Sequence, residues 1–379
     1  MTTAHWETLG TGATYQLRRC GRFVVAAFQE PHRVISTSAA NGGQRDDLLF
    51  LVNHQSCEGT GHVDRHAEIT AHGAEAYHDV VCAEAGVPRE HTATMGTAAN
   101  MNYVAMVREA DADVEVTAVV TGGVESNATC AGDPAAWRET AAGVEKIPVA
   151  GTINTMLLIG VPLTASALAR AVVTMTEGKT AALQRLVVPS RQSADLATGT
   201  GTDQYCVAAP LRAEGVRTSC SPHVKLGELI GRATRRATQE ALRWQNGLEP
   251  SYTRGVFHAL GRYGVTEKTF FEEIAPFLDG SSLELLRKNM RSAVYEPLVG
   301  AAAHACAAVL DRVRHGMLPE SVKREAVVHQ VALLAASVAA QPDRWSEFKT
   351  RLHALDTAEA KTLAIAALAF GWSAKWHSR

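Results

Sequence analysis

Several features that mark specialised classes of protein are missing from this sequence of 379 residues. It has no excess of charge, because 37 lysines and arginines face 39 aspartates and glutamates, so no overall field favours nucleic acid or anionic lipid as a partner. Its longest apolar stretches, around 327–340 and 362–372, are shorter than the roughly 18–20 residues that span a bilayer. The N-terminal residues show no basic start followed by a long apolar run, so we also expect no secretory leader. We therefore expect a soluble protein that binds neither nucleic acid nor a membrane.

The cysteines lack the spacing of a disulfide framework or a metal site. Their number is odd, they are scattered, and none forms a Cys-x-x-Cys pair. The seven are Cys20, Cys57, Cys82, Cys130, Cys206, Cys220 and Cys306. Unpaired thiols are typical of a reducing compartment. We expect reduced cysteines and a cytoplasmic location.

Short β-rich runs alternate with longer helical runs up to about residue 245. The predicted strands are rich in Val, Ile, Leu or Thr and are flanked by Gly, Asp or Pro: 22–28, 33–37, 48–52, 114–121, 152–160 and 204–209. The predicted helices are 64–85, 165–186 and 222–244. This mixture predicts an α+β or α/β sandwich in which layers of sheet and helix pack together.

The character of the chain changes after the turn-rich segment Asn246-Gly-Leu-Glu-Pro250. Beyond it the sequence is rich in Ala and Leu, helical in period and nearly free of strand signals. The predicted helices are 255–263, 267–278, 282–291, 297–314, 321–340, 345–355 and 358–375. We therefore predict two domains, an α/β domain at 1–247 and an all-α domain at 251–379. The second is expected to join copies of the chain or to cover the site, and to supply no chemistry.

Three blocks of small, hydroxyl and amide residues follow or precede predicted strands, at 121–133, 151–154 and 198–203. Open sheets place ligand sites at such loops, although turns have a similar composition. The third block, Thr-Gly-Thr-Gly-Thr-Asp, favours binding, because its β-branched threonines stiffen the backbone and offer hydrogen-bond donors and acceptors. It lacks the Gly-Lys-Ser/Thr ending of a phosphate-binding loop.

Lys179 breaks the apolar stripe of the predicted helix 165–186. The stripe contains Leu168, Val172, Met175, Leu183 and Leu186, and Glu177 points to the opposite face. A lysine at the centre of such a stripe must either be paired or extend to its edge. It is a candidate site residue.

His223 is a second candidate. Ser221 is predicted to cap the next helix and Pro222 to occupy its first position, so His223 would lie in the first turn. The positive end of a helix favours a neutral imidazole that can accept a proton. A solvated histidine without a function is the alternative.

A histidine-rich segment suggests a metal site but does not support one. It contains His54, Cys57, His62, His66, His72 and His78. Only His62 and His66 have the spacing that places two ligands on one helical face, and the glutamate of a His-Glu-x-x-His motif is missing. We expect a polar helix surface, no bound metal, and activity that survives chelation.

Eight ordered blocks resemble the adenosylcobinamide amidohydrolase family of CbiZ type over about residues 20–245. They are Ile35-Ser-Thr-Ser-Ala-Ala-Asn-Gly-Gly43, Thr97-Ala-Ala-Asn100, Thr121-Gly-Gly with Asn127-Ala and Ala131-Gly-Asp133, Gly151-Thr-Ile-Asn154, Val161-Pro-Leu163, Thr176-Glu-Gly-Lys-Thr-Ala-Ala-Leu183, Ala197-Thr-Gly-Thr-Gly-Thr-Asp203 and Lys225-Leu-Gly-Glu-Leu-Ile-Gly231. The resemblance implies hydrolysis of the amide that joins the corrin ring to aminopropanol, during corrinoid salvage. The cobalt would belong to the substrate, and no cofactor is implied.

A corrinoid carries many carboxamides, so its site should offer neutral donors and acceptors. We expect substrate contacts from Asn100, Asn127, Asp133, Thr152, Asn154, Thr198, Thr200 and Thr202. Asp203 or His223 could be the base, and Glu177 or Asp133 a positioning group. Lys179, with backbone N–H groups of 199–201, could stabilise the oxyanion. No Gly-x-Ser-x-Gly motif is present, so direct attack by water is favoured over attack by Ser126.

The order of elements is also similar to the four-layer α-β-β-α sandwich of DmpA-type aminopeptidases and ornithine acetyltransferases. This likeness concerns arrangement and not residues. Two other interpretations stay open at this point, namely a corrinoid carrier or sensor without catalysis, and a hydrolase of another bulky amide.

Overall fold

The structure is a computed structural model that describes residues 5–56, 62–135, 137–140, 143–146 and 151–376. The chain divides into two compact units. The first consists of Met1–Gln192 and Leu196–Leu248, and the second of Ser193–Asp195 and Glu249–Arg379.

The first unit combines strands with three long helices. The strands are β1 (Glu7–Thr11), β2 (Tyr15–Cys20), β3 (Phe23–Phe28), β4 (His32–Ser36), β5 (Gly43–Arg45), β6 (Phe50–Gln55), β7 (Thr92–Thr97), β8 (Ala105–Asp111), β9 (Val114–Gly122), β10 (Ala128–Thr129), β11 (Trp137–Thr140), β12 (Gly143–Lys146), β13 (Ile153–Ile159), β14 (Gly199–Thr200) and β15 (Gln204–Pro210). The helices are α1 (His62–Ala85), which is interrupted at Gly73, α2 (Ala165–Arg185) and α3 (Lys225–Asn246). Short 3-10 turns occur at Arg89–His91 and Met101–Tyr103.

Two larger sheets organise this unit. The five-stranded sheet has the order β1-β2-β3-β6-β7, and only its β6/β7 pair is parallel. The six-stranded sheet has the order β5-β4-β15-β13-β9-β8, and only its β13/β15 pair is parallel. In the second sheet, Asn154 at the start of β13 pairs with Thr121 near the end of β9. Polar residues of the predicted blocks therefore meet at one end of the sheet.

Three apolar clusters define four layers. Leu17, Leu51 and Met95 of the five-stranded sheet pack against Met156 and Leu158 of the other sheet, so the two sheets lie face to face. The outer face of the five-stranded sheet packs on α1. The outer face of the six-stranded sheet packs on α2 and α3. The layers therefore run α-β-β-α, which confirms the predicted α+β sandwich.

Glycine brings α2 and α3 into close contact beside Lys179. A Cβ atom on Gly178 would lie 2.9 Å from the carbonyl oxygen of Gly231. Only a residue without a side chain allows this approach of two helix backbones. The contact fixes the turn of α2 that carries Lys179.

The predicted start of α3 is wrong. The helix begins at Lys225 with Val224 at its N-cap, and no side chain caps it. The backbone carbonyl of Ser221 instead accepts from the backbone N–H of Val224 at 3.0 Å, which forms a turn before the helix. This carbonyl lies against Gly227 in the first turn of α3, where a Cβ atom would be 1.9 Å from it. His223 is exposed in the turn that precedes the helix, so it does not lie in the first helical turn as predicted.

The second unit is helical in the residues that the structure describes, which confirms the predicted all-α region. Its helices are α4 (Pro250–Thr253), α5 (Val256–Leu260), α6 (Phe270–Ile274), α7 (Gly280–Val294), α8 (Pro297–Arg314), α9 (Glu320–Ala339), α10 (Trp345–His353) and α11 (Ala360–Lys375), with 3-10 turns at Gly261–Tyr263, Ala275–Phe277 and Pro342–Arg344. Helices α9 and α11 form the centre of a core of Ala, Val and Leu. Gly371 permits their close approach, since a Cβ there would lie 2.4 Å from the carbonyl oxygen of Ala335.

No single helix in the described ranges is long and apolar enough to cross a bilayer. Helices α7 and α8 have the length and apolar composition of a membrane span only when they are taken together, and they meet at an angle of 78°. Buried core helices share these properties.

Candidate active site

Lys179 and Asp203 form an ion pair at the end of the sandwich where the polar blocks meet. The ammonium of Lys179 donates to Oδ2 of Asp203, and the two side chains are 14% and 18% exposed. Lys179 is therefore paired, one of the two outcomes that its position in an apolar stripe predicted. Asp203 takes one of its three N–H groups, which leaves two for a substrate oxygen.

Asp203 is held by three further donors. Its Oδ1 accepts from the backbone N–H of Ile153 at 3.0 Å and from the hydroxyl of Thr200 at 2.5 Å. Its Oδ2 accepts from the backbone N–H of Thr200 at 3.1 Å in addition to Lys179. Each carboxylate oxygen thus receives two hydrogen bonds, which fill its usual acceptor capacity. Such a carboxylate is suited to hold Lys179 in place and poorly suited to accept a proton from water.

Gly199 packs directly against this ion pair. A Cβ atom at this position would lie 2.5 Å from Oδ2 of Asp203 and 2.7 Å from Nζ of Lys179. Neither contact is sterically possible without displacement. The glycine of the Thr-Gly-Thr-Gly-Thr-Asp block therefore makes room for the pair.

Gly199→Ala should separate Lys179 from Asp203. We expect a loss of unfolding free energy of about 1–3 kcal/mol from the strained, part-buried pair. Any amide-hydrolysing activity should fall about tenfold or more, since small displacements of a positioned group are costly. Gly280→Ala provides the contrast, because Gly280 lies in helix α7 and nothing lies within 4 Å of a Cβ there. Wild-type stability in Gly199→Ala by urea unfolding would contradict the expected crowding.

The threonines of block 198–203 serve the loop that carries Asp203. Thr198 accepts from the backbone N–H of Ala131 at 2.9 Å, and its carbonyl accepts from the hydroxyl of Thr180 at 2.9 Å. Thr200 is buried against Asp203, whereas Thr202 is exposed and donates to the carbonyl of Gly151 at 2.7 Å. Much of their hydrogen-bonding capacity is therefore used inside the protein.

Asn127 and Thr152 join the three blocks. The buried amide of Asn127 donates to the carbonyl of Gly151 at 2.7 Å and to the hydroxyl of Thr202 at 3.2 Å. Thr152 donates to the carbonyl of Thr202 at 2.6 Å. The structure thus brings blocks 121–133, 151–154 and 198–203 together.

A buried amide network connects this site to the other sheet. Asn154 donates to Oδ1 of Asn53 at 2.9 Å and to the carbonyl of Gly96 at 3.0 Å, and Asn53 donates to the hydroxyl of Thr121 at 2.8 Å. The sequence analysis missed Asn53. A usable signal was present, because an asparagine inside the apolar strand β6 must find buried partners.

Asp133 organises the loop after β9. Its Oδ2 accepts from the backbone N–H of Cys130 at 2.7 Å and from the hydroxyls of Ser190 at 2.6 Å and Thr129 at 3.2 Å. The short β10/β14 ladder then pairs Thr129 with Gly199. Asp133 therefore holds Thr129, the residue that pairs with Gly199 beside the ion pair.

Three predicted site residues, Glu177, His223 and Asn100, make no described contact with the Lys179–Asp203 pair. Glu177 and His223 are exposed, and no hydrogen bond or ion pair described for either residue joins it to Lys179 or Asp203. Asn100 uses its side chain to accept from the backbone of Asn102 at 2.9 Å, and its own N–H donates to Gln245 at 3.0 Å. Asn100 thus lies beside the carboxyl end of α3. Their predicted roles remain untested.

Within the part of the chain that is described, no group of three or more His, Cys, Asp or Glu residues is arranged to hold a metal ion. Cys57 and the side chains of His62, His66 and His72 lie outside the described residues. His78 is buried and contacts the hydroxyl of Thr94 and the carbonyl of Arg89, both at 3.0 Å. The six cysteines that are described are free thiols.

Comparison with known proteins gives three results. A family model described as adenosylcobinamide amidohydrolase matches residues 8–250. An uncharacterized protein of Methanocaldococcus jannaschii is 35% identical over 186 residues, which cover 45% of this chain and 70% of that protein. The crystal structure of a Pyrococcus horikoshii protein aligns with a TM-score of 0.30 and 12% identity, over 62% of this chain and 82% of that one.

Proposed function

Because this chain belongs to the adenosylcobinamide amidohydrolase family, we propose that it hydrolyses the amide between the corrin ring and aminopropanol in adenosylcobinamide. The products would be adenosylcobyric acid and 1-amino-2-propanol. The observation that carries the proposal is the extent of the family match, since 8–250 contains the whole cluster around Lys179 and Asp203. We propose corrinoid salvage in the cytoplasm as its setting.

The polarity of the site supports a substrate rich in carboxamides. The groups around the ion pair are neutral amides and hydroxyls: Thr202 is exposed to a ligand, whereas Asn127, Thr152 and Asn154 are buried and bond to other groups of the protein. Amides and hydroxyls both donate and accept, as carboxamides do, so such groups match a corrin periphery better than charged residues would.

Lys179 is proposed to stabilise the oxyanion of the tetrahedral intermediate. Water adds to the carbonyl carbon, negative charge develops on the carbonyl oxygen, and an ammonium held in a partly buried site stabilises that charge. Collapse then breaks the C–N bond, and the amine leaves with the proton that the attacking water has given up. The free N–H groups of Lys179 are the donors available at this position.

Asp203 is proposed as the positioning residue for Lys179. Four hydrogen bonds fix its carboxylate, which in turn fixes the ammonium. This assignment differs from the predicted role as base, because the filled acceptor sites favour a structural anchor. Ser126, exposed on the loop beside Asn127, is the alternative nucleophile.

The proposal is tested by incubating the purified full chain with adenosylcobinamide in the presence of a chelator. We expect release of free aminopropanol, measured by mass spectrometry, because no step proposed for Lys179 requires a metal. Tight binding of the corrinoid without release would favour a carrier or sensor. Absence of both binding and release would favour a different amide. Release without the chelator but not with it would contradict the proposed metal-independent hydrolysis.

A further inference from the structure

Gly96 lies on β7, the strand at one edge of the five-stranded sheet, and both of its backbone groups bond to the other sheet. Its carbonyl oxygen accepts from the side-chain amide of Asn154 at 3.0 Å, and its N–H donates to Oε1 of Gln204 at 3.0 Å. The backbone groups on the free side of an edge strand have no ladder partner, so these two side chains satisfy them. Gly96 thereby joins β7 to two strands of the six-stranded sheet.

Asn154 and Gln204 stand side by side on the face of the six-stranded sheet that meets the five-stranded sheet. They are paired in register on the parallel strands β13 and β15. Side chains alternate along a strand, and the next ones on this face, Met156 and Cys206, lie in the apolar core between the sheets. Asn154 is completely buried. Amide groups in such a place need partners, and Gly96 supplies one to each.

The residues that precede these two amides belong to the candidate active site. Ile153, next to Asn154, donates its backbone N–H to Oδ1 of Asp203 at 3.0 Å. Asp203 in turn is next to Gln204. The chain and the hydrogen bonds therefore form a closed ring through Asp203, Ile153, Asn154, Gly96 and Gln204. The carboxylate and its backbone donor are thus each one residue away from a bond to the same peptide group.

We propose that Gln204 and Asn154 are positioning residues of the active site. By bonding to Gly96 they fix the backbone on both sides of the hydrogen bond to Asp203, and Asp203 fixes the ammonium of Lys179. The effect on turnover rests on the proposed hydrolysis, in which that ammonium must lie where the oxyanion develops. Neither amide needs to touch the substrate in this role.

The test begins with two substitutions of Gln204. Gln204→Met removes the acceptor of the Gly96 N–H and keeps a side chain of similar length. We expect kcat for adenosylcobinamide to fall about tenfold, with KM changing much less, because the ammonium loses its position. Gln204→Glu keeps an oxygen that can accept from Gly96, so its kcat should stay within about threefold of the wild type. Equal losses in the two variants would overturn the proposal.

Gln245→Met is the matched control. Oε1 of Gln245 accepts from the backbone N–H of Asn100, also at 3.0 Å and also in a part-buried place, and Asn100 makes no described contact with the ion pair. The same substitution therefore removes the same kind of bond, and the two variants should lose similar stability in urea unfolding. The kcat of Gln245→Met should stay near the wild type. A fall in kcat as large as that of Gln204→Met would show general destabilisation and overturn the positioning role.

A readout that needs no turnover separates this inference from the proposed hydrolysis. Hydrogen exchange followed by NMR reports on the backbone N–H groups of Ile153 and Thr200, both of which donate to Asp203. We expect these groups to exchange about tenfold faster or more in Gln204→Met than in Gln245→Met, because the ring is opened. Equal exchange would overturn the inference even in an active enzyme. Faster exchange in a protein that does not hydrolyse adenosylcobinamide would support the positioning and reject the proposed function alone.

Discussion

Replacing Lys179 with methionine should lower the turnover of adenosylcobinamide by about 100-fold or more, because the oxyanion loses its charged donor. Methionine keeps the length of the side chain and suits the apolar stripe of α2. Asp203 retains three donors, from Ile153 and Thr200, so the loop should persist. Steady-state kinetics should show the loss mainly in kcat, with KM changing much less.

Lys225→Met is the matched control for this variant. Lys225 pairs with Glu228 at the start of α3, and both side chains are exposed. Surface pairs of this kind contribute about 0–1 kcal/mol, so turnover and stability should stay near wild type. Full activity in Lys179→Met, with circular dichroism of a folded protein, would remove Lys179 from the mechanism.

Asp203→Asn should reduce both turnover and stability. An asparagine places an NH2 group where one carboxylate oxygen stood, and each oxygen accepts from a backbone N–H, that of Ile153 or that of Thr200. Whichever way the amide turns, one N–H therefore faces another donor. We expect a loss of unfolding free energy of about 2–4 kcal/mol and about 100-fold lower turnover.

The double variant Lys179→Met/Asp203→Asn distinguishes positioning from independent action. If Asp203 works through Lys179, adding Asp203→Asn to Lys179→Met should cost little further activity. Multiplicative losses would instead indicate a separate role, such as the base. Asp113→Asn, which alters an exposed pair with Arg217, should change neither urea unfolding nor turnover.

The sequence predicted the central strands and missed those with weaker patterns. The six predicted strands correspond to β3, β4, β6, β9, β13 and β15, in which burial on both faces or alternate faces produces runs of Val, Ile and Leu. Strand β2 was missed because its Gln and Arg residues obscure the buried Tyr15 and Leu17. Strand β7 consists mostly of small residues and Thr. Their burial depends on neighbouring strands, which periodicity does not reveal.

The sequence identified the central residues of the candidate site, but it did not show which residues they contact. Lys179 is conspicuous within an apolar stripe and Asp203 within a Gly/Thr loop, so local patterns identify both. Their contact depends on the parallel pairing of β13 with β15, which joins segments distant in sequence. Asn53 was missed for the same reason, since it acts across the two sheets. The prediction of where α3 begins was wrong because a Ser-Pro pair can also form the turn that precedes a helix.

The position of β15 has a consequence for how the protein folds. This strand lies between β4 and β13, and Ser36 of β4 pairs with Cys206, about 170 residues later in the chain. Until the ribosome has delivered β15, one edge of β4 and one edge of β13 lack partners, and unpaired edges promote aggregation. The Lys179–Asp203 pair cannot assemble earlier, because Asp203 immediately precedes β15. Weakened pairing of this strand should therefore reduce the yield of folded protein during synthesis before any defect in chemistry becomes measurable.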